Sequence, residues 1–151
     1  MPQSACGYAS SNGRIIMNLS SNDEIMNEML GEFGVEYNAP CYISINDFSG
    51  FLASNKNGRP GYAAYTDNGE LLLIQDNLMG RRQIILTGET VTSVESRKML
   101  LLPQQYIQIK GIQDGKKYFY KIYLPLKDTR KFPFQAENSD SLLRFITGLR
   151  S

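Results

Sequence analysis

The spacing of hydrophobic residues changes along the chain, and each change predicts a different kind of element. Over residues 22–33 the apolar positions repeat at the helical period and form one face, which consists of Ile25, Met26, Met29, Leu30 and Phe33. Ser21 and Glu24 have the spacing of a capping box, and Gly34 suits the left-handed conformation that ends a helix. The pattern therefore predicts an N-terminal helix at about 22–33.

A second helical pattern occupies residues 137–149. Its apolar stripe consists of Leu142, Leu143, Phe145, Ile146 and Leu149. Asn138 and Ser139 precede the stripe and are expected to cap the helix, because their side-chain oxygens accept hydrogen bonds from free backbone N–H groups. A helix this short is not stable alone in water, so the stripe is expected to pack on the strands that precede it.

Between the helices apolar and polar residues alternate, which is the pattern of half-buried β-strands. The alternation predicts strands within 41–53, around the turn Asp67-Asn68-Gly69, and at 82–87, 90–96, 104–111, 116–124 and 130–135. In the segment 116–124 the alternation separates Tyr118, Tyr120, Ile122 and Leu124 from their neighbours, so one face is buried and the other is wetted. Short strands joined by short turns indicate an antiparallel meander.

The composition argues against most catalytic and metal sites. The chain has no histidine, which removes the commonest general base and metal ligand and every Ser-His or Cys-His nucleophile. Its two cysteines, Cys6 and Cys41, are too few for a disulfide scaffold and lack a paired metal-ligand spacing. We therefore expect no catalytic residue, no metal and no cofactor, and we expect Cys41 to be a buried apolar residue.

The charge is distributed unevenly, although the net charge is only +1. Residues 1–80 hold nine acidic and three basic side chains, a net of −6, whereas residues 81–151 hold thirteen basic and six acidic ones, a net of +7. Either the two halves neutralise each other, across the fold or between subunits, or the basic half binds an anionic partner.

The candidate anion-binding side chains are Lys56, Arg59, Arg81, Arg82, Arg97, Lys98, Lys116 and Lys117. The set is extended by Lys121, Arg130 and Lys131, and candidate platforms for stacking nucleic-acid bases are Tyr106, Tyr118 and Tyr123. The alternative is that these cations are solvated strand ends that protect sheet edges from aggregation. A net charge near zero and the lack of an RNA-recognition motif favour the alternative, so no nucleic-acid partner is expected.

An apolar run, Met99-Leu100-Leu101-Leu102, precedes Pro103. Four consecutive apolar residues cannot all face inward from a strand, so part of the run points away from the core unless another segment covers it. We expect either the N-terminal helix, through Ile25, Met29 and Phe33, or a second copy of the protein to pack on this run.

The order of the elements resembles the pleckstrin-homology-like superfamily, in particular its bacterial members and the related GRAM domains. The stretch GYAAYTDNGELLLIQ is similar to the family's first hairpin, DGKKYFYKIYL to its sixth strand, and FPFQAENSDSLLRFITGL to its final strand and helix. The resemblance covers about residues 61–151 and leaves residues 1–60 as an N-terminal extension. It implies an antiparallel orthogonal sandwich or partial barrel of about seven strands, capped by the C-terminal helix.

The same resemblance implies a binding module for phosphoinositides, peptides or self-association, and not an enzyme. The turn in the position of the family's basic lipid-binding loop is Asp67-Asn68-Gly69-Glu70, which repels a phosphorylated headgroup. If the first strand is instead 42–54, that loop contains Lys56 and Arg59. The expected function is a non-catalytic binding or assembly module that engages itself or a protein partner. The alternatives are anionic-lipid binding through the basic C-terminal half and a small enzyme without histidine.

The chain is long enough for one domain with a sizeable core. No stretch approaches the ~20 apolar residues that a membrane helix needs, and the first residues lack the charged flank and apolar run of a secretory signal. We therefore expect a cytoplasmic protein without a transmembrane segment.

Overall fold

The structure is a computed structural model, and it describes residues 22–48, 58–77 and 80–149. Helix α1 spans Asn22–Gly31 and helix α2 spans Gln135–Gly148. The strands are β1 (Asn38–Asp47), β2 (Arg59–Tyr65), β3 (Glu70–Asn77), β4 (Gly80–Thr87), β5 (Val91–Lys98), β6 (Gln104–Gln113) and β7 (Lys116–Pro125). Neither of these two helices is long and apolar enough to cross a lipid bilayer. Ser21 of the predicted capping box and residues 49–53 of the predicted strand segment lie outside the described residues.

The seven strands form one antiparallel sheet in the order β4-β3-β2-β1-β7-β6-β5, and the sheet curls into a half-barrel. Strand β1 lies at its centre, because it pairs with β2 on one side and with β7 on the other. Cys41 is aligned with Ala63 of β2, and Ile45 with Ile122 of β7. The arrangement confirms the predicted class, mainly β with one helix before the sheet and one after it.

The turn between β2 and β3 lies where Asp67-Asn68-Gly69 predicted it, and β6 and β7 are joined by a two-residue turn. Gly69 has a φ of 83° between β2 and β3. Between β6 and β7, Asp114 and Gly115 have φ values of 53° and 78°. Two successive residues with positive φ form the type of turn whose twist matches that of antiparallel strands, which sets the register of this hairpin.

The sheet lacks one of the strands that the alternation predicted. Residues 130–135 do not form a strand, because Thr129 and Phe132 exchange backbone hydrogen bonds in a tight turn before α2. Pro133 cannot donate a ladder hydrogen bond, so the alternating aromatic residues around it only imitate a strand. Strand β1 is the seventh strand instead, and the predicted boundary near residue 60 falls between two paired strands, β1 and β2.

The inner face of the half-barrel holds the main core, and α2 covers it. The strands contribute Cys41, Ile43, Ile45, Leu71, Leu73, Ile107, Ile109, Ile122 and Leu124, among others. From α2, Leu142 and Ile146 are fully buried in this cluster, while Leu143 and Leu149 pack at its margin. Phe145 stacks on Tyr65 with the ring centres 4.6 Å apart. The predicted apolar stripe and its packing on the strands are confirmed.

The first turn of α2 is capped by a residue outside the helix, not by the two that we expected. The Asp128 carboxylate accepts the backbone N–H of Ala136 at 2.7 Å. Asn138 and Ser139 lie within the helix, where Asn138 donates to the Pro40 carbonyl at 2.9 Å and the Ser139 hydroxyl bonds to the Ala136 carbonyl at 3.0 Å. Asn138 therefore anchors α2 to β1, Ser139 bonds within the helix, and neither residue caps it.

Gln135 fixes the start of α2 to the middle of the sheet. Its side chain is buried, and its Oε1 accepts the backbone N–H of Tyr42 at 3.0 Å. Its Nε2 donates to the carbonyls of Tyr42 and Pro125, each at 2.9 Å. One amide therefore joins the helix to both β1 and β7.

Helix α1 packs on the outer face of the sheet. Its buried side chains, which pack against Ala64, Ile74 and Phe132, are Met26, Met29 and Leu30. Phe33 is half-buried at the margin of this cluster, and Ile25 is 48% exposed. The chain leaves the helix through Gly34, whose φ is 74°, as the sequence predicted.

Replacing Ile146 by alanine should lower the free energy of unfolding by about 2–5 kcal/mol, because its buried side chain leaves a cavity between α2 and the strands. Thr147→Ala is the matched control, since Thr147 is exposed on the same helix and its loss should change stability by less than about 0.5 kcal/mol. Denaturant unfolding followed by circular dichroism measures both. Equal effects in the two variants would contradict the packing of α2 on the inner face.

Candidate binding surfaces

Strand alternation brings basic and aromatic side chains together on the outer face of β5, β6 and β7. Ile107, Ile109 and Ile122 point into the core, so the residues between them on β6 and β7 point outward. We name this surface the basic outer face. Its cations are Arg97, Lys110, Lys117 and Lys121, and its aromatic residues are Tyr106, Phe119 and Tyr123.

Two lysines of the basic outer face lie over aromatic rings. The Lys110 ammonium is 4.8 Å from the ring centre of Phe119. The Lys121 ammonium is 4.4 Å from the ring of Phe48 and 5.4 Å from that of Phe119. Each such contact contributes about 0.5–1 kcal/mol at an exposed site, so these charges are held against the sheet.

A fourth cation–aromatic contact involves the edge strand β5. The Arg97 guanidinium is 5.2 Å from the ring centre of Tyr106, and the rings of Tyr106 and Tyr123 are 5.0 Å apart. Gln108 Nε2 donates to the Tyr106 hydroxyl at 2.9 Å. A shallow depression is lined here by Glu95, Ser96, Arg97, Tyr106 and Gln108.

The cations of the basic outer face form no salt bridge within the described residues. The arginines that do pair there are Arg81, Arg82 and Arg144. The register places one carboxylate, Glu95, opposite Gln108 on this face. Four cations against one carboxylate make the surface strongly positive, which favours an anionic partner.

A second surface is the loop between β5 and β6, which carries the apolar run. Leu100 is 99% exposed, Leu101 95% and Leu102 52%. We name these three residues the leucine loop. Its ends are held by backbone hydrogen bonds, from Met99 to the Gln104 carbonyl at 3.0 Å and from Leu126 to the Pro103 carbonyl at 2.8 Å. The loop therefore projects from the fold on a closed base.

The cations predicted to bind an anion do not gather in one patch. Arg97 and Lys98 lie on β5, and Lys116 and Lys117 begin β7. Arg59 begins β2, and Lys56 lies outside the described residues.

Two of the predicted cations are engaged within the chain. Arg81 pairs with Glu32, and Arg82 pairs with Asp47 and contacts the Tyr120 hydroxyl at 3.5 Å. Burial alone lowers the pKa of Arg82, but the hydrogen bond to Asp47 and the charges of Tyr120 and Asp47 more than offset it, so the pKa is raised. These two arginines are therefore not free for a ligand.

Helix α1 does not cover the leucine loop, which corrects one of the two expectations for the apolar run. Its apolar face is used on β2 and β3, where Met29 is buried and Phe33 is half-buried. Of the predicted contact residues on α1, Ile25 is the one that is half exposed. The other expectation, that a second copy packs on the loop, stays a prediction.

Tyr118 is not a platform on the outer face. It lies in the inner core, where burial raises the pKa of its hydroxyl although the hydrogen bond between it and the Thr90 hydroxyl lowers it. Tyr106 and Tyr123 do lie on the outer face. The sequence reasoning missed Lys110 and Phe119 as members of the same surface, although the alternation in β6 and β7 contained the signal for both.

Cys41 is fully buried, as expected, and burial raises the pKa of its thiol well above the ordinary range. Within the described ranges, no group of three or more cysteine, aspartate and glutamate side chains is arranged to hold a metal ion.

No protein-family model matches the chain, and no curated protein matches it at a significant level.

In a Cys6→Ser variant, where Cys41 is the remaining thiol, a disulfide reagent at pH 8 should not react with the folded protein and should react fully in denaturant. The reason is that Cys41 is buried and its pKa is raised. Stability should also fall as the pH rises above about 8.5, because the unfolded thiol loses a proton that the folded one keeps. Cys41→Ala should lack this slope, and rapid reaction of the native protein would contradict the burial.

Proposed function

We propose that the chain is a non-catalytic binding and assembly module of the pleckstrin-homology-like type, which associates with a second copy or with a protein partner. The observation that carries the proposal is the nearly complete exposure of Leu100 and Leu101. A curled seven-strand sheet with a C-terminal helix is compatible with that superfamily and supports the assignment. The function comes from the surface, since a fold of this kind hosts several functions.

The leucine loop suits a contact with another protein. Burying an exposed leucine contributes about 1.5–3 kcal/mol, so Leu100 and Leu101 together supply a substantial part of a specific interface. The hydrogen bonds at Met99 and Leu126 close the base of the loop, which reduces the conformational entropy lost on binding. A contact of this apolar kind persists at high salt.

The available side chains support a non-catalytic module. The chain contains no histidine, and Cys41 is buried with a raised pKa. These features oppose nucleophilic and acid–base chemistry at neutral pH.

Binding to an anionic membrane surface is the second candidate, and the cations beside the leucine loop favour it. Arg97 and Lys98 precede the loop, and the adjacent segment exposes Lys127, Arg130 and Lys131. Leucines that enter the headgroup region with cations around them gain both apolar burial and about 1 kcal/mol per basic residue near the surface. The expected cytoplasmic location, bacterial origin and lack of a nucleic-acid partner stay predictions.

The double variant Leu100→Ser/Leu101→Ser should convert an assembled protein to a smaller species, because it removes the apolar contact. Light scattering across a range of concentrations, at low and at high salt, measures the mass. Ile85→Ser is the matched control, since Ile85 is 39% exposed on the edge strand β4, where its carbonyl accepts from Gln113 at the opposite end of β6 from the loop, and its loss should leave the mass unchanged.

Vesicles of neutral and of anionic lipid distinguish the second candidate. Binding to anionic vesicles that salt weakens and the leucine double variant abolishes would favour the membrane over a protein partner. A wild-type protein that is monomeric in every condition and binds neither vesicles nor a protein partner would refute both candidates.

A further inference from the structure

Acidic side chains of the N-terminal half gather on the exposed side of α1. Glu24, Glu28 and Glu32 follow one another at four-residue spacing, the last just beyond the end of the helix, and Ile25 lies half-exposed beside them. We name these three glutamates the acidic helix face. Helix α1 contains no basic residue, so its like charges repel without compensation inside the helix.

At the start of α1 the negative charges also act on Asp23. Burial and the charge of Glu24 raise the pKa of Asp23. Glu32 pairs with Arg81 of β4, while no salt bridge within the described residues involves Glu24 or Glu28.

We propose that the acidic helix face of one molecule docks on the basic outer face of a second copy. The inference rests on the proposed assembly function and names a partner surface for it. The two faces have opposite charge, and each adds apolar area, from Ile25 on one side and from the rings of Phe119 and Tyr123 on the other. Complementary potentials of this kind steer encounter and fix the register of a contact.

The two faces do not meet within one chain. Helix α1 packs on β1, β2 and β3, whereas the basic outer face lies on β5, β6 and β7, on the far side of the central strand. Because different surfaces meet, the contact is heterologous, and repetition leads to a closed ring or to an open chain of molecules.

The undescribed segments of the chain cannot neutralise the basic outer face with carboxylate side chains. All fifteen aspartate and glutamate residues lie in the described part, and residues 1–21, 49–57, 78–79 and 150–151 contain none. Within the described part, Glu95 is the carboxylate that the register brings to this face. A second copy supplies the missing carboxylates from its acidic helix face, which carries an excess of negative charge.

Two charge-reversal variants test the contact. One is Glu24→Lys/Glu28→Lys on α1, and the other is Lys110→Glu/Lys117→Glu on the basic outer face; all four residues are exposed. Sedimentation velocity at about 50 mM salt should show self-association of the wild type that is at least about tenfold weaker in either variant alone. A mixture of the two variants should associate again, because each reversed face then meets its complement. Circular dichroism and thermal unfolding establish that both variants are folded.

The outcomes separate this inference from the proposed function. Association through the leucine loop should survive 1 M salt and both charge reversals, whereas the charged contact should not, since the screening length falls to about 3 Å. Folded variants whose mixture fails to associate would overturn the inference and leave the leucine loop untouched. A single-stranded oligonucleotide that binds the wild type and not Lys110→Glu/Lys117→Glu, with self-association unchanged in that variant, would overturn it in favour of nucleic acid.

Discussion

The pairing of β1 with both β2 and β7 is the constraint on which the rest of the structure depends. Without β1 the sheet would be two three-stranded halves, β4-β3-β2 and β7-β6-β5, each with an additional exposed edge. With β1 in place, the seven strands curl around one inner face whose apolar residues need a cover. Helix α2 provides that cover, and the buried amide of Gln135 bonds it to the backbone of both β1 and β7.

The outer face of the curled sheet differs between its two halves. Helix α1 covers the outer face of β2 and β3, where aromatic and aliphatic side chains would otherwise be wet. On β5, β6 and β7 the outward residues include three cations that lie over aromatic rings, and this surface attracts negative charge. The leucine loop projects between β5 and β6. The positions of apolar and charged side chains therefore decide which surfaces are covered and which are proposed to bind a partner.

Much of the fold was predictable from local patterns. The stripe of Leu142 and Ile146, the face of Met26 and Leu30, and the Asp114-Gly115 turn each arise from residues close together in the chain. The errors arose where a distant partner decides the conformation. The aromatic residues at 130–135 imitate a strand, but Phe132 is buried under α1 and not in the sheet, and the cap of α2 comes from Asp128 rather than from its own first turn. Of the candidate surfaces, the leucine loop was predictable in part, because four consecutive apolar residues cannot all face one side of a strand. In β3 the run from Leu71 to Ile74 is buried on both faces, whereas Leu100 and Leu101 are left exposed.

The amino-acid sequence by itself determined the type of each main element, the buried side of the long strands, the absence of histidine and the opposite charges of the two halves, because these depend on composition and on spacings of two to four residues. Only the tertiary structure decided that β1 joins the two halves of the sheet and that α1 lies apart from the leucine loop. It also showed that Arg81 and Arg82 are engaged by carboxylates while Arg97, Lys110 and Lys121 share one face. Strand pairing and ion pairing are choices among many distant partners of similar local chemistry, and those choices are settled by the burial of the whole core and not by any short segment.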